Sequence, residues 1–246
     1  MGYEAPLSGH LVDRASKGSA YLTNQESDST RRYWIPATYV AQVLDKLLEK
    51  PPTDLKLLRA CTYTVLQFCW ICRSDTGTAA KMPHVVVDEG DIVLKAVKLK
   101  GRGADKWAPV YKIPAGAVDG LTPLILRWIA RKRSWKLVGA SHSFWSIPGE
   151  TGRYTSSHGD DWVKLALTSV GATPPEGFHF NGHSTRSGAA TGASSVGAPD
   201  RKICFMADWS PRANSIETYV DPTAQPTQAA RRFFGWLAPP LTHGTS

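Results

Sequence analysis

The sequence predicts an α+β protein that is mainly helical and contains a small three-stranded antiparallel sheet. Before residue 75, apolar residues recur at spacings of three and four, which is the period of an amphipathic helix. Between residues 84 and 114 the period changes to two, which is typical of strands. Helical spacing returns after residue 120. A chain of 246 residues, 42% of them hydrophobic, is long enough for one large domain or for one domain with an arm.

An arm and two helices are expected at the start of the chain. Residues 1–35 are polar and show no clear period, so we predict an N-terminal arm or linker before a domain that spans residues 36–246. The first helix should run from about Pro36 to Lys50, because apolar residues share one face and two prolines follow it. The second should run from a cap at Thr53 or Asp54 to about Arg73.

Three short antiparallel strands are expected next, in the segments HVVVDEG, DIVLKAVKLK and WAPVYKIP. Turns should lie at residues 88–90 and 101–103, where glycine permits a tight reversal of the backbone. Because side chains alternate along a strand, one face of the middle strand should present Ile92, Leu94, Ala96, Lys98 and Lys100.

The remaining pattern is helical, with one long interruption. Helices are expected at residues 121–129 and 160–170, and the Gly-, Ser- and His-rich stretch between them is interpreted as a loop. Two further helices should follow across residues 183–220, with a break at residues 197–199. A last helix is expected near Gln228 to Leu237, within a C-terminal segment of about residues 226–240.

The charge of the chain favours a polyanionic partner, of which DNA is the commonest. The formal net charge is +8 and the isoelectric point is about 9.4. One segment concentrates this charge, with Arg127, Arg131, Lys132, Arg133 and Lys136. Two interpretations stay open for it: a solvated helix end, or a surface that contacts the phosphate backbone of DNA.

Composition argues against several other classes of protein. No apolar run approaches the ~20 residues of a membrane span, and the first residues do not form a signal peptide, so the protein is not expected to be secreted. The four cysteines lie in apolar patterns and are expected to be buried free thiols. The spacing of His158, His179 and His183 fits no compact metal site, and no metal or cofactor is predicted.

Four residues in the stretch from His183 to Val220 stand in an informative order: His183, Arg186, Trp209 and Tyr219. This order resembles the C-terminal active-site block of the tyrosine recombinases, and the predicted elements match that family over about residues 36–240. The resemblance implies the tyrosine recombinase catalytic-domain fold. It also implies an enzyme that cuts and rejoins double-stranded DNA through a phosphotyrosine, without a cofactor. The helical domain that usually precedes the catalytic domain in the family is not expected in the short arm.

The resemblance implies two arginines that hold the scissile phosphate. A guanidinium offers a planar fork of donors that matches a phosphate group. The family's first arginine falls at Arg73, in FCWICRSDTG, and the second at Arg186, in the HxxR motif. The family has an acidic residue three positions after its first arginine, where this chain has Thr76, with Asp75 one residue earlier.

The remaining roles follow from the same resemblance. The general acid is a lysine near the turn between the second and third strands, for which Lys98 and Lys100 are both candidates. His183 would contact the phosphate and assist proton transfer, and Trp209 would hydrogen-bond the phosphate through its ring nitrogen. Tyr219 would be the nucleophile, activated by its surroundings because a free phenol titrates near pH 10.

The implied function is site-specific recombination or integration by a tetramer assembled on DNA. The segment after Tyr219 is rich in large apolar residues, and it should either fold back on its own domain or dock on a neighbouring protomer. A type IB topoisomerase and a non-catalytic DNA-binding module are the alternatives. The phrase GHSTRSGAATGASSVGAP resembles recombinases of eukaryotic DIRS-type mobile elements, which implies a nuclear protein in a eukaryotic host and a cytoplasmic one otherwise.

Overall fold

A computed structural model describes residues 31–95, 110–209 and 215–238 of the chain. Two short 3-10 turns, Met82–His84 and Gly235–Leu237, accompany the helices and strands. The strands are β1 (Arg31–Arg32), β2 (Val85–Asp88), β3 (Asp91–Lys95), β4 (Val110–Ile113) and β5 (Phe178–His179). The helices are α1 (Ala37–Glu49), α2 (Leu55–Trp70), α3 (Ser74–Thr78), α4 (Leu121–Ser134), α5 (Ser156–Thr168), α6 (Gly182–Ser195), α7 (Asp200–Met206), α8 (Ser215–Tyr219) and α9 (Gln228–Phe234).

Helix α2 is the centre of the fold. Its N-cap is Asp54, whose carboxylate accepts hydrogen bonds from the Lys56 and Leu57 amides at 2.7 and 3.4 Å. Every residue from Leu58 to Trp70 is buried, because α1, α5 and α6 pack around the helix. A helix that is buried on all sides in this way is a core helix.

The sheet has the three antiparallel strands that the sequence predicted. Strands β2, β3 and β4 pair in an antiparallel manner, and the tight turn between β2 and β3 has Glu89 and Gly90 at φ of 48° and 91°. Ile92 and Leu94 share a buried face with Tyr111 of β4, as alternation along the strand requires. The predictions for residues 96–109, including Lys98 and Lys100, lie outside the described residues.

Several predicted boundaries were wrong. Helix α2 ends at Trp70 rather than near Arg73, because Ile71 adopts a left-handed conformation with φ of 53°. A short helix, α3, then follows. Helix α4 runs five residues beyond the predicted end at residue 129. Helix α5 begins inside the predicted loop, where Thr155 and His158 form a capping box at its start.

The C-terminal helix α9 packs on its own domain in this structure. Phe233 and Phe234 are almost fully buried, and both rings contact Phe68 of α2 at centroid distances of 5.2 and 5.3 Å. Arg232 forms an ion pair with Asp45 of α1 at 2.6 Å. Exchange of this helix between protomers stays a prediction. All four cysteines are buried and free, which confirms the prediction made for them.

Candidate active site

Three separate parts of the chain bring four predicted residues together. Helix α6 carries His183 and Arg186, the loop after α7 carries Trp209, and α8 ends with Tyr219. The Tyr219 ring lies between the other two rings, stacked on Trp209 at 4.7 Å and tilted against His183 at 4.9 Å. The Arg186 guanidinium lies 4.9 Å from the centre of the Trp209 ring and 6.0 Å from that of Tyr219.

The N-terminus of α6 is fixed from three sides. Asn181 is its N-cap and accepts a hydrogen bond from the Ser184 amide at 2.8 Å. The carboxylate of Asp160 on α5 accepts the Gly182 amide at 2.7 Å, and Gln67 of α2 donates to the Gly182 carbonyl at 3.0 Å. Because residues three apart lie on one face of a helix, this anchoring orients His183 and Arg186 together.

Arg186 is a buried cation with incomplete hydrogen bonding. Its side chain is 1% exposed, and its Nη2 donates to the carbonyl of Ala207. Within the described part of the chain, its Nε and Nη1 have no hydrogen-bond partner. Burial and the nearby charge of Arg73 lower its pKa. A buried donor without a partner costs about 1–3 kcal/mol, so an acceptor from outside the described residues would stabilise this guanidinium.

The end of α7 positions both the acceptor of Arg186 and Trp209. Asp208 adopts a left-handed conformation with φ of 50°. The Trp209 amide then bonds to the Cys204 carbonyl at 2.9 Å, and the Asp208 amide bonds to the Phe205 carbonyl at 3.2 Å. This pair of bonds is a Schellman motif. It ends the helix sharply and brings Trp209, which is 7% exposed, under the guanidinium of Arg186.

His183 is neutral at pH 7. Burial, followed by the charges of Arg32, Arg186 and Arg73, lowers its pKa from 6.5 to about 4. A neutral imidazole has one donor and one acceptor nitrogen, so it can donate to a phosphate oxygen or accept a phenolic proton. Its ring contact with Tyr219 makes the second role geometrically reasonable.

Thr191 of α6 anchors the backbone around Tyr219. Its hydroxyl donates to the Tyr219 carbonyl at 3.4 Å and accepts the Asp221 amide at 3.0 Å. The side chain of Tyr219 is half-buried. Helix α6 therefore positions the nucleophile candidate as well as His183 and Arg186.

Arg73 approaches the cluster from the other side. The left-handed Ile71 redirects the chain after α2, and Arg73 becomes the exposed N-cap of α3. Its charge contributes to the lowered pKa of both His183 and Arg186, which places it in electrostatic range of both. Within the described residues, no ion pair joins Arg73 to Asp75.

Tyr111 is a member of this neighbourhood that the sequence analysis did not identify. It lies on β4 opposite Leu94, is 1% exposed, and has no hydrogen-bond partner for its hydroxyl among the described residues. Burial raises its pKa, whereas the charges of Arg186 and Arg73 act in the opposite direction. A hydroxyl on an otherwise apolar strand face was the available signal.

Four of the five basic residues that the sequence places in the basic segment are exposed, and one is buried. Arg127, Arg131, Arg133 and Lys136 are exposed on or just after α4. Lys132 was wrongly placed among them. Its side chain is fully buried, and its ammonium donates to the carbonyls of Ser143 and Ser146 at 3.0 and 2.6 Å. Burial, and then the charge of Arg59, lowers the pKa of Lys132 to about 8.

Two other kinds of structure, a metal site and a membrane-spanning helix, are absent from the described residues. No group of three or more His, Cys, Asp and Glu side chains there could hold a metal ion. In the same ranges, no helix is both long and apolar enough to cross a membrane.

The comparisons with known proteins identify the fold. No protein-family model matches the chain, and no curated protein does. The XerH site-specific recombinase bound to difH substrate matches at 12% identity with a TM-score of 0.58, over 78% of this chain and 51% of that one. The XerA recombinase matches at 13% identity with a TM-score of 0.55, over 86% of this chain and 67% of that one. A lambda integrase dimer bound to a COC′ core site matches at 13% identity with a TM-score of 0.50, over 92% of this chain and 86% of that one.

These likenesses show the class of architecture. The chain spans about half the length of the XerH chain. The mainly helical model with its three-stranded antiparallel sheet has the tyrosine recombinase catalytic-domain fold, as the sequence predicted. Its neighbours of known structure are tyrosine recombinases and integrases.

Proposed function

We propose that this chain is the catalytic domain of a site-specific DNA recombinase or integrase that works through a 3′-phosphotyrosine. The observation that carries the proposal is the convergence of His183, Arg186, Trp209 and Tyr219 from three separate elements. The sequence order alone predicted these four residues, and a fold shared with XerH and XerA is the context in which that order has this meaning.

The geometry supports a specific division of labour. Arg186 and Arg73 would hold the non-bridging oxygens of the scissile phosphate, since the buried Arg186 has two donors to offer and Arg73 lies nearby. The Tyr219 oxygen would attack phosphorus while its proton passes to the neutral imidazole of His183. Trp209 supports both the guanidinium and the phenol ring.

The reaction is a balanced exchange of esters. The Tyr219–phosphorus bond forms as the bond to the 5′ oxygen breaks, and that oxygen takes a proton from Lys98 or Lys100 to become a 5′-hydroxyl. A 5′-hydroxyl from a partner strand then attacks the phosphotyrosine, which rejoins the DNA and releases Tyr219. The phosphotyrosine conserves the energy of the phosphodiester, so the cycle needs no high-energy cofactor.

The partners in this proposal are double-stranded DNA and further copies of the chain. The exposed cations Arg127, Arg131, Arg133 and Lys136 would contact backbone phosphates, where they contribute affinity without reading sequence. Assembly of a tetramer on DNA would bring two duplexes together for exchange. The resemblance of residues 182–199 to DIRS-type recombinases supports an origin in a eukaryotic mobile element and, with it, action in the nucleus.

A covalent trap tests the proposal without knowledge of the target site. Nicked duplexes with a randomised core would be incubated with the protein. A nick lets the short product strand dissociate, so the phosphotyrosine cannot be reversed and the covalent adduct accumulates. Denaturing gels would detect the adduct, and sequencing of the trapped DNA would give the site. The tryptic peptide of residues 213–231 contains a single tyrosine, Tyr219, so mass spectrometry would locate the linkage.

The controls separate the alternatives. Tyr219→Phe should form no adduct and should bind DNA within a few fold of the wild type, because affinity comes mainly from phosphate contacts. An adduct on another residue would refute the assignment of Tyr219. Rejoining of the same strand without exchange between two duplexes would indicate a type IB topoisomerase. DNA binding without any adduct would indicate a non-catalytic module.

A further inference from the structure

Strand β1 lies beside the candidate active site. Arg32 pairs in parallel register with His179 of β5, four residues before His183. The Tyr33 amide donates to the His179 carbonyl at 3.2 Å, and the Ile35 amide donates to the Ser184 carbonyl at 3.1 Å. The backbone of residues 32–35 therefore runs alongside the segment that leads into α6.

This position is fixed by close packing. A Cβ atom at Gly188 of α6 would lie 2.0 Å from the Ile35 carbonyl oxygen, so only glycine permits the observed approach. Ile35 is fully buried. The Tyr33 ring packs edge-on against Phe178 at 5.6 Å. The segment that carries Arg32 is thus held against β5 by the Tyr33 bond and against α6 by the Ile35 bond and the close contact at Gly188.

Arg32 places a third guanidinium on the rim of the cluster. Its side chain is exposed, in contrast to the buried Arg186. Its charge contributes to the lowered pKa of His183 ahead of the charges of Arg186 and Arg73. The pairing of Arg32 with His179 places this residue beside the segment that leads to His183.

We propose that Arg32 is a further substrate-contacting residue of this site, which binds a DNA backbone phosphate beside His183. The inference rests on the proposed function, because it assigns a contact within the same reaction. Among the described residues, the backbone pairing of β1 with β5 and the glycine-dependent contact with α6 support it independently of any charge argument.

The expected effects are smaller than those of a buried donor. Removal of a buried oxyanion donor costs about 10²–10³ in rate, whereas water screens an exposed guanidinium. Arg32→Ala should therefore slow single-turnover adduct formation by about tenfold at saturating DNA. It should also reduce the slope of log affinity against log salt by about 0.9, the value for one phosphate contact. Arg32→Lys should retain most of the salt slope, because it keeps the charge.

The experiment compares Arg32→Ala, Arg32→Lys and Arg153→Ala on the DNA duplex that the covalent trap identifies. Arg153 is an exposed arginine in the loop before α5, and no described contact joins it to the cluster, so its loss matches the change in net charge. In the free protein, NMR titration of the His183 ring would be followed in the wild type and in Arg32→Ala. His183→Gln would assign the resonance. The pKa of His183 should rise from about 4 toward 6.5 when Arg32 is removed.

The outcomes separate this proposal from the proposed function. Wild-type rate and salt slope in Arg32→Ala would overturn it, even if the His183 pKa rises, because Arg32 would then be near the site without touching DNA. An equal loss in Arg153→Ala would also overturn it, since the effect would be one of net charge. If the wild type forms no adduct on any duplex, the proposed function has failed. The salt slope on a 30-base-pair random duplex then decides alone whether Arg32 contacts phosphate.

Discussion

The two arginines that are buried among the described residues should respond in opposite ways to substitution by methionine. Arg59 is 4% exposed and its Nη1 pairs with Glu150 at 2.8 Å and with the Tyr154 hydroxyl at 3.2 Å. Its guanidinium also lies 4.7 Å from the Trp162 ring. Arg186 is equally buried, but only its Nη2 has a hydrogen-bond acceptor in the described ranges. The charge of Arg59 is therefore paired within the fold, and one of its buried nitrogens, Nε, has no hydrogen-bond partner among the described residues, whereas Arg186 has two such nitrogens there.

The magnitudes follow from these contacts. Arg186→Met loses one charge-assisted hydrogen bond of about 1.5–3 kcal/mol and a cation–π contact of up to about 2 kcal/mol. It also removes two unpaired buried donors, each of which costs about 1–3 kcal/mol in the folded state. These terms offset each other, so the stability of Arg186→Met should lie within about 2 kcal/mol of the wild type. Arg59→Met removes the pair with Glu150, whose side chain is 35% exposed, together with the Tyr154 bond and the Trp162 contact, and should cost about 2–3 kcal/mol.

The activities should show the reverse order. Arg186→Met should slow adduct formation by at least about 10², since it removes a fixed donor to the transition state. Arg59→Met should retain the wild-type rate under conditions where it is folded. Urea unfolding gives the stabilities and single-turnover trapping gives the rates. A loss above about 4 kcal/mol in Arg186→Met, or a near-normal rate, would refute the view that its free donors exist for the substrate.

Four further outcomes are expected. Tyr219→Phe should abolish the adduct, as measured on denaturing gels, and leave DNA affinity within a few fold. Only one of Lys98→Ala and Lys100→Ala should be severely slow, and a substrate with a sulfur leaving group, which needs no general acid, should rescue that variant alone. The pKa of His183 is about 4 in the folded chain against an ordinary 6.5, so the unfolded chain binds more protons between these values. Stability should therefore fall as the pH drops from 6.5 toward 4, and the urea midpoints at pH 7 and pH 5 should lie closer together in His183→Gln than in the wild type. Phe234→Ala should destabilise the monomer by about 3–5 kcal/mol if α9 is part of its core, whereas an unchanged urea midpoint would indicate that the helix is seated elsewhere.

Sequence periodicity correctly predicted features that depend on the geometry of a single helix or strand. Alternation along β3 placed Ile92 and Leu94 on the buried face, and helical spacing with two following prolines placed α1 within a residue at each end. Helices were also expected across residues 183–220, and α6 carries both His183 and Arg186. These predictions held because the period of a regular element is fixed by its backbone geometry.

The burial of Lys132 could have been found in the sequence. Ile125 and Trp128 precede it by seven and four residues, so Lys132 continues the buried stripe of α4. Its basic neighbours in sequence, Arg131 and Arg133, are exposed on other faces of the helix. Its buried ammonium is possible because two carbonyls of the loop at residues 143–146 accept its protons.

Other features could not have been predicted locally. The left-handed conformation of Ile71 is rare for a β-branched residue and has no sequence signature. The place of Arg32 depends on a pairing between β1 and β5, which lie about 147 residues apart in the chain. Tyr111 reaches the cluster because the sheet packs against the end of α2. Such contacts are set by the tertiary fold, which a local period does not contain.

Two adjacent residues of α6 contact α9 and the backbone near the nucleophile candidate, Tyr219. Thr191 bonds to the Tyr219 carbonyl and to the Asp221 amide, and the neighbouring Gly192 faces Phe234, where a Cβ atom would lie 3.3 Å from the ring. If α9 were exchanged between protomers, it would occupy the same docking surface on another copy of the chain. A domain swap changes which chain supplies an element, but it preserves the contacts that the element makes. Docking within one chain and exchange between chains are therefore two connectivities of a single interface. In either case, α9 packs against the helix that carries His183 and Arg186.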